Sequence, residues 1–111
     1  MTFVVGVDGG GTGCRALVLD AQARPRGEGT GPAALVDPSN PGRAAESILV
    51  AVRAAAGQAG AELPAAALWV GLAGAGRAGA REAVEIALRS LRLAREVRVG
   101  MDVEGAHQDA F

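Results

Sequence analysis

The chain has 111 residues, a formal net charge of −1 and one cysteine. This length suits a single domain with a real hydrophobic core. A net charge near zero leaves no basic surface that would attract nucleic acid or an anionic membrane. No charged n-region precedes a hydrophobic segment, and no apolar run approaches the ~20 residues of a membrane-spanning helix. We therefore expect a soluble, cytoplasmic protein that binds neither nucleic acid nor membrane.

The first two predicted strands, Phe3–Val7 and Cys14–Leu19, are joined by a glycine-rich turn with the sequence DGGGTG. Glycines let the main chain approach a polyphosphate and adopt positive φ. Successive N–H groups in such a turn can form an anion-binding nest. Asp8, at the strand end, is well placed to hold hydrated Mg²⁺, which usually binds through one or two carboxylates plus phosphate oxygens. The turn predicts a phosphate site, and the alternative is a glycine-rich hairpin without a ligand.

This turn matches neither of the two commonest phosphate-binding loops. A P-loop needs Gly-Lys-Ser/Thr at the start of a helix, and the chain contains no lysine. A dinucleotide fingerprint needs a helix after the glycines, and the segment from Cys14 is too short and too β-like for that. The same strand position predicts that Cys14 is a buried, small apolar side chain, with a reactive thiol as the alternative.

The remaining elements follow from apolar runs, helical periodicity and turn residues. The sequence predicts a weak third strand with glycines at Arg26–Thr30 and a loop with two prolines at 37–42. A helix from Arg43 should end near the glycines at 57–60, and a strand follows at Leu68–Leu72. The last predicted elements are a second helix at Arg81–Leu91, a strand at Val97–Met101 and a third helix at Val103–Ala110 that is capped by Asp102. The order β-β-β-α-β-α-β-α predicts an α/β fold, a mixed five-stranded sheet with helices packed on it. Helical crossovers should make the last two strands parallel to the first.

Four stretches together resemble one known group of proteins. The turn from Asp8 to Thr12 resembles the first phosphate motif of the sugar kinase, Hsp70 and actin ATPase superfamily. Within it, the chain is most similar to the BadF/BadG/BcrA/BcrD-type ATPases, which include N-acetylglucosamine kinases. Three further stretches agree in order and spacing: GPAALVDPSNP at 31–41, GLAGAGR at 71–77 and VRVGMDVEGA at 97–106. The resemblance implies a ribonuclease H-like (actin-like ATPase) lobe.

The resemblance also implies a reaction and its residues. The chain would take part in the ATP- and Mg²⁺-dependent phosphorylation of an amino sugar, with N-acetylglucosamine as the leading candidate substrate. Asp102 would be the catalytic base and contact the sugar, Ser39 and Asn40 would bind the sugar, and Asp8 would hold the metal. The phosphates would be bound by Gly10, Gly11 and Thr12. A purely structural role remains open for Asp102, because Asp also caps helices, and for Asn40, because Asn also favours Asx turns.

The chain departs from the family pattern in two respects. Relatives often carry a basic residue where this chain has Gly13; Arg15 is a candidate substitute, but its facing near a turn does not follow from the sequence. The chain also stops at Phe111, inside the third predicted helix. We therefore expect residues 1–111 to be the N-terminal lobe of a longer kinase, with little turnover alone, whose partners are the second lobe of the same protein and a second copy of the chain.

Two other functions compete with the sugar kinase. One is the ATPase activator of a 2-hydroxyacyl-CoA dehydratase, which needs several cysteines for an iron–sulfur cluster, whereas this chain has only Cys14. The other is a non-catalytic lobe that binds phosphate or a partner chain without chemistry.

Overall fold

The computed structural model describes residues 2–34, 36–37, 39–72 and 79–100. This part of the chain forms five strands and two helices. Their bounds are β1 Phe3–Gly9, β2 Cys14–Asp20, β3 Pro25–Gly31, α1 Pro41–Ala59, β4 Ala65–Leu72, α2 Ala80–Ser90 and β5 Ala94–Gly100. The third predicted helix, Val103–Ala110, lies outside the described residues.

The strands form one mixed sheet with the order β3-β2-β1-β4-β5. Strand β2 pairs antiparallel with both β1 and β3, as expected for consecutive hairpins. Strand β4 is parallel to β1, and β5 is parallel to β4. The predicted mixed five-stranded sheet and the parallel crossover strands are thus confirmed.

Both described helices pack on the same face of the sheet. Helix α1 lies against β3, β2 and β1, while α2 lies against β5 and against α1. Side chains at alternate strand positions project into this layer and are fully or almost fully buried. The largest are Val5, Val7, Val18, Leu68, Val70, Leu72 and Val97 from the strands and Ile48, Val52, Val84 and Leu88 from the helices. The opposite face of the sheet carries no helix from the described part of the chain.

Glycines in β3 allow α1 to approach the sheet very closely. Gly27, Gly29 and Gly31 alternate along the strand and face α1. A Cβ atom on Gly27 would lie 2.7 Å from the backbone nitrogen of Ala59, a separation that real Cβ atoms essentially never show. The glycines that made this strand look weak in the sequence are therefore what permits its contact with the helix.

All five strands extend beyond their predicted bounds. Strands β4 and β5 each begin three positions before their predicted starts, at Ala65 and Ala94, and β1 extends through Asp8 to Gly9. Alanine and glycine have low β-propensity, so no local pattern indicates the extensions of β1 and β4. Pairing with neighbours on both sides overrides that propensity, since β1 is bonded to β2 and to β4 over these residues.

The turn between β2 and β3 is organised by Asp20, whose side chain is almost fully buried. Its Oδ1 atom accepts hydrogen bonds from the backbone N–H groups of Gln22 at 2.9 Å and Arg24 at 3.0 Å. Its Oδ2 atom accepts a bond from Nε of Arg26 at 2.7 Å. The Arg24 N–H bond, followed by the bonds from Arg26 and Gln22, lowers the pKa of the Asp20 carboxyl below its ordinary value.

Gly29→Ala should destabilise the fold because its Cβ would collide with the α1 backbone at Ala51 and Ala55. Overpacking of this kind costs about 1–3 kcal/mol. Gly57→Ala is the matched control, since a Cβ at Gly57 in the same helix meets nothing within 4 Å. That change should stabilise the fold by about 0.5–1 kcal/mol. Urea unfolding of both variants checks the prediction, and equal stabilities would contradict it.

The stability contributed by Asp20 should depend on pH. Because its pKa is lower in the folded state than the unfolded value of about 3.9, ionised Asp20 stabilises the fold above about pH 4, and this contribution is lost as the pH falls through the folded-state pKa. Asp20→Asn keeps an acceptor for the two N–H groups but loses the charge facing Arg26. Wild type should therefore be more stable than the variant at neutral pH, and urea unfolding in acid should show the difference shrinking.

Candidate functional site

The carboxyl ends of the three parallel strands meet at one edge of the sheet. Asp8 on β1 is level with Gly71 on β4, and Gly71 is level with Gly100 on β5. With neighbouring strands about 4.8 Å apart, the main chains at Asp8 and Gly100 are separated by about 10 Å. Asp102 follows Gly100 by two residues but lies outside the described residues, so its place at this edge remains a prediction.

The glycine turn at this edge uses some of its backbone groups internally and leaves others free. The Gly10 N–H donates to the Gly13 carbonyl at 3.0 Å, and the Gly10 carbonyl accepts from the Ala34 N–H at 3.0 Å. The N–H groups of Gly11 and Thr12 donate to no acceptor within the part of the chain that the structure describes. Two donors of the predicted nest are therefore available to an anion, while that of Gly10 is occupied.

The glycines of this turn have two different structural roles. Contrary to the expectation from sequence, Gly9, Gly10 and Gly13 do not adopt positive φ. Gly9 is a packing residue, because a Cβ there would collide with Leu72 and approach Ala34. A Cβ on Gly10 would meet nothing within 4 Å. The main chain at Gly10 is thus open to close approach by a ligand.

Asp8 projects from the sheet face that carries neither described helix. It is exposed, between the buried Val7 and Gly9. It has no hydrogen-bond or ion-pair partner among the described residues, and these residues contain no cluster of three or more His, Cys, Asp or Glu side chains. An exposed and uncommitted carboxylate beside two free N–H groups fits the binding of a hydrated metal with phosphate oxygens.

Arg15 lies on the same face of the sheet as Asp8, because the two residues are directly opposite each other in the β1–β2 pairing. Its Nε atom is 2.6 Å from Oε1 of Glu28 on β3. The hydrogen bond that Arg15 donates to the Glu28 carboxylate, together with the charge of Glu28, raises the pKa of the Arg15 guanidinium above its ordinary value. A basic side chain therefore lies beside the turn although Gly13 itself carries none.

The loop between β3 and α1 brings Asn40 to the same edge of the sheet. Asp37, which the sequence analysis did not single out, organises this loop: its Oδ1 accepts from the Ser39 N–H at 3.0 Å and from the Ser39 hydroxyl at 2.7 Å. The Ser39 hydroxyl is the larger cause of a lowered Asp37 pKa. Asn40 is the N-cap residue of α1 but makes no side-chain capping bond. The Asx turn is thus made by Asp37, and the amide of Asn40 is exposed and available.

Polar contacts connect this loop to the glycine turn and to α1. The Ser47 hydroxyl of α1 donates to the Ala33 carbonyl at 2.8 Å, and the next residue, Ala34, donates to Gly10. The Cys14 thiol donates to the Ser47 carbonyl at 3.3 Å. Cys14 is buried as predicted, and burial raises the pKa of its thiol, which makes it less reactive.

Comparison with known proteins decides the fold. No protein-family profile and no curated protein matches the chain. A solved structure of a "putative N-acetylglucosamine kinase" from Chromobacterium violaceum does match, with a TM-score of 0.72 and 25% sequence identity. The chain has the fold of a sugar kinase domain. This likeness confirms the resemblance to N-acetylglucosamine kinase-like proteins that the sequence motifs indicate.

The extent of the match is unequal in the two proteins. It covers 97% of this chain but only 39% of the Chromobacterium violaceum protein. The chain therefore spans well under half the length of the protein it resembles.

Neither helix in the described residues is long and apolar enough to cross a membrane.

Asn40→Ala should leave the free energy of unfolding within about 0.5 kcal/mol of wild type, since its side chain makes no capping bond to lose. Ser47→Ala is the contrasting variant, because it removes the donor to the Ala33 carbonyl. Leaving such a partly buried carbonyl without its partner costs about 1–3 kcal/mol. Urea unfolding distinguishes the two, and a destabilised Asn40→Ala variant would show that Asn40 has a structural role instead.

Proposed function

We propose that this chain is the N-terminal lobe of an ATP-dependent kinase that phosphorylates an amino sugar, most closely N-acetylglucosamine. The observation that carries the proposal is the exposed Asp8 carboxylate beside the free N–H groups of Gly11 and Thr12, at the carboxyl edge of a sheet with the fold of a sugar kinase domain. Its substrate class comes from the name of the Chromobacterium violaceum protein and from the motifs at 31–41 and 97–106.

Phosphoryl transfer requires positioned phosphates, charge stabilisation and a group that orients the attacking hydroxyl. The N–H groups of Gly11 and Thr12 would donate to phosphate oxygens, with the open main chain at Gly10 allowing close approach. Asp8 would hold Mg²⁺ through its hydration shell, and the metal when bound would neutralise charge on the phosphates. Arg15 would supply the cation that relatives carry directly after the threonine.

The acceptor hydroxyl would be held from the other side of the same edge. The Asn40 amide can donate to one sugar hydroxyl and accept from another, and Ser39 lies next to it in the loop shaped by Asp37. By resemblance, Asp102 is the base that takes the proton of the attacking hydroxyl. A carboxylate in this position contributes about 10²–10⁴-fold to such a reaction.

The rest of the kinase would come from a second lobe. The chain spans 39% of the protein it resembles, and kinases with two lobes close them over their substrates to exclude water. We therefore infer that the second lobe of the same protein completes the ATP site, with another copy of the chain as a further partner.

A coupled ATP-consumption assay tests the proposal on the polypeptide that the gene encodes in full. Consumption should require Mg²⁺ and an amino sugar, with N-acetylglucosamine the best of a panel of sugars. The 111-residue chain alone should turn over far more slowly. Absence of any sugar-dependent consumption by the complete polypeptide would reject the kinase assignment.

Asp102→Asn separates the catalytic role from the capping role. Because Asn also caps helices, the variant should keep its unfolding free energy while kcat falls by about 10²–10⁴-fold. Asp8→Asn should instead raise the Mg²⁺ concentration needed for half-maximal rate, and Asn40→Ala should raise the KM for the sugar. If Asp102→Asn unfolds and loses activity in proportion, Asp102 is a structural cap and another residue is the base.

A further inference from the structure

Arg15 lies between two carboxylates on the same face of the sheet. Asp8 on β1 is its direct cross-strand neighbour. On the other side, Thr30 is the direct neighbour and Glu28 is one diagonal step further along β3. Directly opposite Cβ atoms are about 5 Å apart, and diagonal ones about 7–8 Å apart. The Arg15 guanidinium nevertheless pairs with Glu28, with Nε and Oε1 at 2.6 Å, and leaves the nearer Asp8 without an ion pair.

The surrounding contacts explain why Glu28 is available to Arg15. Arg26, the arginine of β3, is paired with Asp20 at 2.7 Å. The backbone N–H of Glu28 donates to Oε1 of Gln58 on α1 at 2.6 Å, which anchors β3 at this position. With Arg26 paired to Asp20, Glu28 pairs with Arg15, which its side chain is long enough to reach across the diagonal.

We propose that Glu28 is a positioning residue that holds Arg15 away from Asp8 and so keeps the Asp8 carboxylate free for a divalent cation. This inference rests on the proposed function, which places the metal at Asp8. A guanidinium paired with Asp8 would occupy the oxygens that the metal needs. Because Glu28 holds Arg15 on the side away from Asp8, the guanidinium stays beside the glycine turn without occupying the carboxylate oxygens of Asp8.

The choice of partner can be measured without any metal or activity, from the Nε–Hε resonance of Arg15 in the ¹⁵N-labelled chain. In wild type this resonance should not respond to Asp8→Asn. Glu28→Gln should shift it, and in that background Asp8→Asn should shift it again, because Arg15 then pairs with Asp8. A resonance that ignores Asp8 in the Glu28→Gln background would overturn the proposal.

A second measurement follows the binding of Mn²⁺ alone by water-proton relaxation. Glu28→Gln should weaken the Mn²⁺ affinity about twofold to fivefold, because Arg15 would then compete with the metal for Asp8 only as strongly as an exposed ion pair does. The double variant Arg15→Gln/Glu28→Gln should restore it, since no guanidinium then competes. Glu96→Gln is the matched control, because Glu96 pairs with Arg98 at 2.8 Å on the same face but away from Asp8; it should leave the affinity unchanged.

The two measurements separate this inference from the proposed function. If Asp8→Asn does not change Mn²⁺ binding to wild type, the metal is not held by Asp8, and the proposed function loses its metal site while the ion-pair result stands. If Asp8→Asn abolishes binding but Glu28→Gln and Glu96→Gln weaken it equally, Glu28 acts only through its overall charge. That outcome would overturn the positioning role and leave the proposed function intact.

Discussion

The close contact between α1 and the glycine face of β3 is the constraint on which the rest of the structure depends. Because the backbones of the two elements nearly touch at Gly27 and Gly29, the position of the helix is set by the strand and not by interchangeable side chains. Helix α1 begins at the edge where β3 ends, so this packing delivers its first turn and Asn40 to the candidate site. The Ser47 bond to the connecting loop extends the same constraint to the glycine turn.

That constraint explains how an exposed turn can keep a fixed shape. Gly10 uses its N–H within the hairpin and its carbonyl to hold the loop at Ala34, so neither group can rearrange without breaking a contact. In the proposed function, the free donors of Gly11 and Thr12 would therefore meet an anion on a turn whose shape these contacts already hold. Donors that need no reorganisation are the ones that stabilise developing charge most effectively. The expected positive φ values proved unnecessary for this arrangement.

The sequence predicted what depends on local periodicity and failed where tertiary contacts decide. Short apolar runs were sufficient to locate β1, β2, β4 and β5, and the three- and four-residue steps located both described helices, although α1 begins at Pro41, inside the predicted loop. The start of β4 at Ala65 was missed because alanine carries no strand signal, and the purpose of Gly29 was missed because its partner backbone is more than twenty residues away. The pairing of Arg15 with Glu28 depends on strand register and on competing carboxylates, which no local pattern encodes. Asp37 was overlooked since a turn-forming aspartate looks the same whether or not it supports a site.

The register of β1 has a direct consequence for chemistry. Val7, Asp8 and Gly9 project alternately into the helix layer and out of it, so a slip of one residue would bury the carboxylate and expose the core. Two partners resist that slip, since β1 is paired over its length with β2 and β4. Gly9 adds a third restraint, because a Cβ at that position would collide with the buried Leu72 side chain and approach Ala34. Gly9 thus helps to keep the Asp8 carboxylate on the exposed face of the sheet.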